Sequence, residues 1–170
     1  MQNNLVSIIM NCHNGQKYLS EAIKSIINQS HVNWELIFWD NCSTDKSSII
    51  VKSFKDLRIK YFKSLNFTNL GEARKLAFEK CTGEYIAFLD TDDIWYKEKL
   101  EKQLKYFKDD VGIVTCNTIF FNEKTKEQLY RKKIPEGYVF DSLLENYNLS
   151  LETLIIKKKF ATSSNIIFDK

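Results

Sequence analysis

An alternation along the first two thirds of the chain constrains the fold most. Short apolar runs rich in β-branched and aromatic residues recur, and between them apolar residues return every three or four positions. Leu5–Met10, Trp34–Trp39, Arg58–Lys63, Glu84–Leu89 and Val111–Cys116 read as strands. The segments between them read as helices. The first covers 16–29, with Leu19, Ala22, Ile23, Ile26 and Ile27 on one stripe, and the second runs through Ile49, Ile50, Val51 and Phe54. A third opens at Asn69-Leu70-Gly71, carries Leu70, Ala73, Ala77 and Cys81, and ends at Thr82-Gly83; a fourth spans 95–108 through Leu100, Leu104 and Phe107. Strands alternating with helices predict an α/β, Rossmann-like fold: a mostly parallel central sheet flanked by helices. From about residue 118 the pattern loosens. Thr118–Phe121, Gln128–Ile134 and Thr153–Ile156 read as short strands, Pro135-Glu136-Gly137 as a turn and 138–147 as a short helix. No repeat or low-complexity linker divides the chain, so residues 1–170 are expected to form a single domain.

The strand at Glu84–Leu89 runs directly into Asp90-Thr91-Asp92-Asp93. Carboxylates at the end of a buried strand are costly unless a cation meets them. Hard divalent cations such as Mg²⁺ and Mn²⁺ take oxygen ligands and bridge to substrate phosphates. In parallel α/β sheets, ligands bind just past the carboxyl ends of the strands. These residues therefore read as a metal-assisted phosphate site, the alternative being a turn whose Asp residues cap the next helix. Two other strand ends lie on the same predicted edge, Asn11–Asn14 and Asp40-Asn41, and Arg74 lies one turn into the third helix within reach of a phosphate or a base. Taken alone, Asp40 reads equally as a turn cap and Arg74 as a surface residue. Their convergence with Asp90–Asp93 is what points to a site.

The bulk properties exclude several classes. A net charge of +3 over 170 residues is too weak to indicate nucleic-acid binding. Cys12, Cys42, Cys81 and Cys116 are scattered with no CxxC pair, which reads as reduced cysteine in a cytoplasmic protein and not as a zinc site or disulfide frame. The N-terminus has no signal-peptide pattern, and no apolar run reaches the roughly 20 residues of a membrane span. Lys-rich faces leave peripheral association with the inner face of a membrane open.

Several blocks, in order and in register, resemble family 2 glycosyltransferases of the GT-A fold. They are Val6-Ser7-Ile8-Ile9 with His13-Asn14, Tyr18-Leu19, Ala22-Ile23, Ser25-Ile26 and Gln29; Glu35-Leu36-Ile37 with Asp40 and Ser43-Thr44-Asp45; Asn69-Leu70-Gly71 with Ala73-Arg74; and Thr82 through Asp93. A weaker block is Glu152 through Lys158. The resemblance implies a nucleotide-diphospho-sugar donor, usually a UDP-sugar, with Mn²⁺ or Mg²⁺, and inverting transfer to a saccharide or lipid-linked acceptor in surface polysaccharide synthesis. It implies that Asn11, His13 and Asn14 surround base and ribose, that Asp40 hydrogen-bonds the uracil, and that Arg74 lies near the base or diphosphate. It also implies Asp92 as principal metal ligand, with Asp90, Thr91 and Asp93 beside it and Asp90 supporting ribose or metal. The donor-binding half would be residues 1–117 and a partial acceptor side 118–170.

The sequence departs from the family pattern at three places: His13 stands where an aromatic is common, Asn41 where a second carboxylate is common, and Lys97 where Pro is common. The family's general base lies well downstream of the Asp90–Asp93 loop, so it is expected beyond Lys170, with Asp169 and Glu152 as candidates within the chain. A catalytically silent nucleotide-sugar-binding fragment is the alternative. A sugar-phosphate nucleotidyltransferase is disfavoured, because only Gly15 stands where such enzymes carry a Gly-rich phosphate loop.

Overall fold

The computed structural model describes residues 4–121, 126–127, 137 and 150–163. Among the described residues eight strands are present: β1 (Val6–Cys12), β2 (Trp34–Asp40), β3 (Ile59–Lys63), β4 (Tyr85–Phe88), β5 (Ile113–Val114), β6 (Phe120–Phe121), β7 (Lys126–Glu127) and β8 (Ile155–Lys157). The helices are α1 (Leu19–Ile27), α2 (Ser47–Ser53), α3 (Leu70–Phe78), α4 (Lys99–Leu104) and α5 (Lys158–Ser163), with a 3₁₀ turn at Leu151–Thr153. A six-stranded sheet runs in the order β3-β2-β1-β4-β8-β5, and β6 and β7 form a separate pair. β1 to β4 are mutually parallel, whereas β8 is antiparallel to both its neighbours. No described helix is long and apolar enough to cross a membrane.

The chain moves outward from β1 through β2 to β3, then crosses back to place β4 on the other side of β1. With crossovers of constant hand, that reversal moves the connecting helix to the opposite face. The two cores show it. Val6, Ile8, Met10 and Cys12 of β1 pack with Leu19, Ile23 and Ile26 of α1, Val51 of α2 and Leu100 of α4. On the other face Ile9, Ile37, Trp39 and Phe88 pack with Ala73 and Ala77 of α3 and Ala161 of α5. Alternate residues of one strand thus serve two layers. The carboxyl ends of β1 and β4 flank the switch point, where such sheets bind ligands.

The structure corrects the expected elements in three places. The strand expected at Val111–Cys116 narrows to Ile113–Val114 and does not neighbour β4, because β8 lies between them. The helix expected over 95–108 begins only at Lys99. Its would-be first turn is tied to α1 instead: Trp95 N donates to Ser25 Oγ (3.2 Å), while Tyr96 O and Lys97 O accept from Gln29 Nε2 and Ser30 N. With those backbone groups satisfied laterally and Trp95 only 6% exposed, nothing drives helix formation there. The strand expected at Thr153–Ile156 shifts to Ile155–Lys157, behind the 3₁₀ turn. The strand expected at Gln128–Ile134 and the helix at 138–147 lie outside the described residues. All four cysteines are free thiols.

Candidate functional site

The three strand-end loops meet as expected. Asn14 has a left-handed backbone (φ 57°), a conformation its short polar side chain tolerates. Its Oδ1 accepts from Thr44 N (2.8 Å) and Asp45 N (3.3 Å), and its own N–H donates to Ser43 Oγ (3.0 Å). Gly15 N donates to Ser47 Oγ (3.1 Å) and Gln16 N to Asp45 Oδ2 (2.9 Å). The β1 loop is thereby fastened to the loop after β2. It also presses on the loop after β4: a Cβ at Gly15 would lie 2.8 Å from Thr91 Oγ1 and 3.1 Å from Cys12 Sγ, so only glycine fits.

Asp40 is fully buried. Its Oδ1 accepts from Ser43 N (2.7 Å) and its Oδ2 from the Tyr61 hydroxyl (2.5 Å). Burial first, then this carboxylate, holds the Tyr61 phenol above its ordinary value, so it remains a donor. A base reaches Asp40 only if the groups covering it move aside. Asn41 forms two-way hydrogen bonds with Thr68: its Nδ2 donates to Thr68 O (2.8 Å) and its Oδ1 accepts from Thr68 N (3.1 Å). His13 Nδ1 lies 2.9 Å from Asn41 O. A carbonyl only accepts, so Nδ1 carries a proton, and in the neutral ring Nε2 accepts from Asn14 Nδ2 (3.3 Å). Asn11, paired with Trp39 in register, turns toward the α3 face, and its buried Nδ2 has no hydrogen-bond partner.

The acidic end is assembled by β8. Tyr85 pairs with Lys157 and Ala87 with Ile155 in an antiparallel ladder. Extending that register past β4 brings Glu152 opposite Asp90. Carboxylate oxygens of Asp90, Asp93 and Glu152 lie within 4.8 Å of one another. The Glu152 turn is pinned by Trp95 Nε1 to Glu152 O (3.2 Å), by Gln103 Nε2 to Thr153 O (2.8 Å), and by Thr115 Oγ1 to Thr153 Oγ1 (2.9 Å). Arg74 of α3 reaches Asp90 with Nη2–Oδ1 at 3.9 Å. Burial, followed by the negative charges of Glu152, Asp90 and Asp92, pushes the Asp93 carboxyl up to about 6. Burial likewise raises Asp90, opposed by Arg74 and reinforced by Glu152 and Asp92. Burial also pushes the Lys99 ammonium down to about 8, opposed by the charges of Cys116 and Glu152. Carboxylates that crowd one another above their ordinary range are relieved by a divalent cation, and an all-oxygen donor set suits Mg²⁺ or Mn²⁺.

Of the expected residues, Asp90 and Asp93 belong to this cluster, while Asp92 is exposed at the loop tip outside it. Thr91 lies between the two loops, and Arg74 faces Asp90. Asn14 is committed to fastening loops, and Asp40 to its turn and Tyr61. Asp169 lies outside the described residues. The family resemblance offers Glu152 for proton transfer, not as a companion of Asp90, and nothing in the sequence marks Tyr61, Thr68 or Phe67 as part of a site. The unusual Asn41 was the signal that could have pointed to Thr68.

A mostly parallel sheet with an acidic cluster at its switch point is the architecture of the GT-A fold, and solved structures agree in fold. S. aureus TarS residues 1–349, solved with UDP, superposes with a TM-score of 0.80 at 25% identity, covering 96% of this chain and 50% of that one. The mannosyltransferase PcManGT from Pyrobaculum calidifontis, solved with GDP-Man and Mn²⁺, gives 0.71 at 19% identity over 94% of this chain and 46% of that one, a likeness of fold alone. The model for glycosyl transferase family 2 matches residues 7–168, and the chain belongs to that family. Among curated relatives, an uncharacterized glycosyltransferase of Haemophilus influenzae is 34% identical over 91% of this chain and 63% of its own length. The UDP-Glc:alpha-D-GlcNAc-diphosphoundecaprenol beta-1,3-glucosyltransferase WfgD of Escherichia coli is 32% identical over 93% of this chain and 62% of its own length. The chain thus spans less than two thirds of those relatives.

Proposed function

We propose that this chain carries the donor site of a glycosyltransferase that uses a nucleotide-diphospho-sugar, a UDP-sugar, with Mn²⁺ or Mg²⁺. The observation that carries the reading is the meeting of Asp90, Asp93 and Glu152 beside Arg74 at the switch point of the sheet. Asp90, Asp93 and Glu152 would hold the cation, and exposed Asp92 is free to join them. When bound, such a cation neutralises the diphosphate leaving group as a Lewis acid. The protein's own groups act around it. Arg74 offers guanidinium donors to a phosphate oxygen. The interlocked β1 and β2 loops form a rigid floor for the nucleoside, with Asn11 supplying an unspent amide. Glu152 serves the cation in this reading and is not the general base. The name of the WfgD relative specifies a UDP-glucose donor and a diphosphoundecaprenol acceptor. Inverting transfer to a saccharide or lipid-linked acceptor in surface polysaccharide synthesis is the extension of that chemistry to this chain.

Calorimetric titration of UDP with and without Mn²⁺ tests the reading. Metal-dependent UDP binding that Asp90→Asn or Asp93→Asn abolishes is expected. Absence of any metal-dependent binding of a nucleoside diphosphate by the parent chain overturns it.

A further inference from the structure

Behind the acidic cluster stands a cation that the donor-site reading leaves without a role. Lys99 opens α4 and is half-buried. Its Nζ lies 4.2 Å from the centroid of the Trp95 ring and donates to Gln103 Oε1 (2.7 Å). Both neighbours also hold the Glu152 turn: Trp95 Nε1 donates to Glu152 O (3.2 Å), and Gln103 Nε2 to Thr153 O (2.8 Å). The ammonium is thus fastened to that turn by two separate bridges, one aromatic and one amide. Both bridging groups are neutral, and among the described residues no carboxylate forms an ion pair with Lys99. A half-buried charge without a contacting counter-charge is costly, and a lysine in the first turn of a helix also meets the wrong end of the helix dipole. Burial lowers its pKa to about 8, opposed by the charges of Cys116 and Glu152, which leaves it a cation at neutral pH. What balances the cost is the field of the carboxylates beyond the turn.

We propose that Lys99 is a positioning residue of the cation site: a fixed charge, one layer behind Glu152, that shares the acidic cluster with the divalent cation and tips the loaded site toward the diphosphate. This inference rests on the donor-site reading above and deepens it. An ammonium in contact with Glu152 would occupy an oxygen that the cation needs. Held one layer back by Trp95 and Gln103, it acts through space and leaves the carboxylate oxygens free. The charge count decides what it does. Asp90, Asp93 and Glu152 carry three negative charges, and Arg74 and Lys99 return two. The cluster therefore stands at one net negative charge, which lets the three carboxylates converge. A divalent cation turns that into one net positive charge, the sign a diphosphate needs. Without Lys99 the cluster would start at two negative charges, hold the cation more tightly, and once loaded present a neutral face to the diphosphate. Lys99 thus trades affinity for the cation against affinity for the anion.

Calorimetry at low salt and neutral pH reads the two affinities separately: Mn²⁺ titrated into the chain alone, then UDP titrated into the chain saturated with Mn²⁺. Lys99→Met keeps an unbranched stem and removes the charge. It is expected to bind Mn²⁺ about 3- to 10-fold more tightly and UDP about 3- to 10-fold more weakly than the parent. Lys99→Arg, which keeps the charge, should move neither affinity in the direction of Lys99→Met. Removing a merely structural lysine would lower both affinities together, so the opposite signs are the signature. Lys99→Met with Mn²⁺ affinity unchanged or reduced, or with UDP affinity unchanged or increased, overturns the inference while leaving the donor-site reading standing. A parent chain that binds neither Mn²⁺ nor UDP overturns both. Should Lys99→Met melt early, Lys99→Gln, neutral but polar, carries the same test.

Discussion

Glu35 lies at the start of β2, on the edge of the sheet away from the donor site, with its carboxylate 5% exposed. It accepts from Ser7 Oγ (2.5 Å), Thr82 N (2.6 Å), Thr82 Oγ1 (2.9 Å) and Lys60 Nζ (2.5 Å), while Gly83 N completes the circuit by donating to Ser7 Oγ (2.8 Å). Burial alone would raise its pKa, but the hydrogen bonds from Lys60, Ser7 and Thr82 outweigh that and bring it from 4.5 down to about 2. A carboxyl depressed in the folded state stabilises the fold above its unfolded pKa and loses that contribution as pH falls through the folded one. A fall from 4.5 to about 2 corresponds to about 3 kcal/mol at neutral pH, trimmed to about 2 kcal/mol because the Lys60 ammonium is 43% exposed and screened. Glu35→Gln keeps the shape and removes the charge. Urea denaturation followed by circular dichroism should show a loss of about 2 kcal/mol at pH 7.5, or roughly 4–8 °C in Tm. By pH 3.5, roughly 40% of the contribution should be gone, and the gap between parent and variant should narrow accordingly. An equal gap at pH 7.5 and pH 3.5 would refute the argument, because the loss would then come from shape and not from charge.

Gly83→Ala should cost roughly 2–3 kcal/mol in the same denaturation assay, since its Cβ would lie 2.6 Å from Leu5 O and 2.8 Å from Ser7 N; a near-neutral result would mean the strands separate more easily than their packing indicates. Asp93→Asn should stabilise the metal-free chain. A carboxyl raised from 3.8 to about 6 in the fold costs stability as the pH rises between those two values, so the gain, roughly 1–2 kcal/mol after allowance for screening, is complete above pH 6 and fades as the pH falls toward 4. Arg74→Ala should weaken Mn²⁺-dependent UDP binding about 10-fold with Tm unchanged, read by calorimetry and a thermal melt. Gln103→Leu removes the amide that joins the Thr153 and Val114 carbonyls and leaves Thr153 O with only the weaker Cys116 thiol. Mn²⁺ affinity should fall severalfold as the Glu152 turn loosens, and unchanged affinity would show that Trp95, Thr115 and Cys116 hold the turn without it.

The strands that build the switch point were legible because their signals are local. Leu5–Met10, Trp34–Trp39 and Glu84–Leu89 are compact apolar runs closed by polar turns, and each matches its observed strand to within a residue or two. The loops that close on the site were legible for the same reason, since parallel strands place their ends on one edge. What failed to show was lateral. The delayed start of α4 depends on Ser25 of α1 and on Gln29 and Ser30 just past its end, partners far away in the chain. The grip of Glu35 on Ser7 and Thr82 joins residues 28 and 47 positions apart. Its only trace in the sequence is a polar residue inside each of two otherwise apolar strands.

The acidic cluster divides along the same line. Asp90, Asp92 and Asp93 stand together in the chain and so drew attention together, yet adjacency at a loop tip sends their side chains in different directions, and Asp92 faces solvent outside the group. Glu152 is remote in sequence and comes in because β8 runs antiparallel beside β4, a placement that depends on β8 displacing β5 from the position a simple β-α alternation would give it. A contiguous acidic motif therefore locates the edge of the sheet where a cation belongs, while the pairing of a late strand decides which carboxylates can converge there. Moving β8 by one residue against β4 would reverse the face on which each β8 side chain lies and carry Glu152 out of register with Asp90. The ladder between Tyr85–Ala87 and Ile155–Lys157 is for that reason as much a part of the site as the carboxylates it brings together.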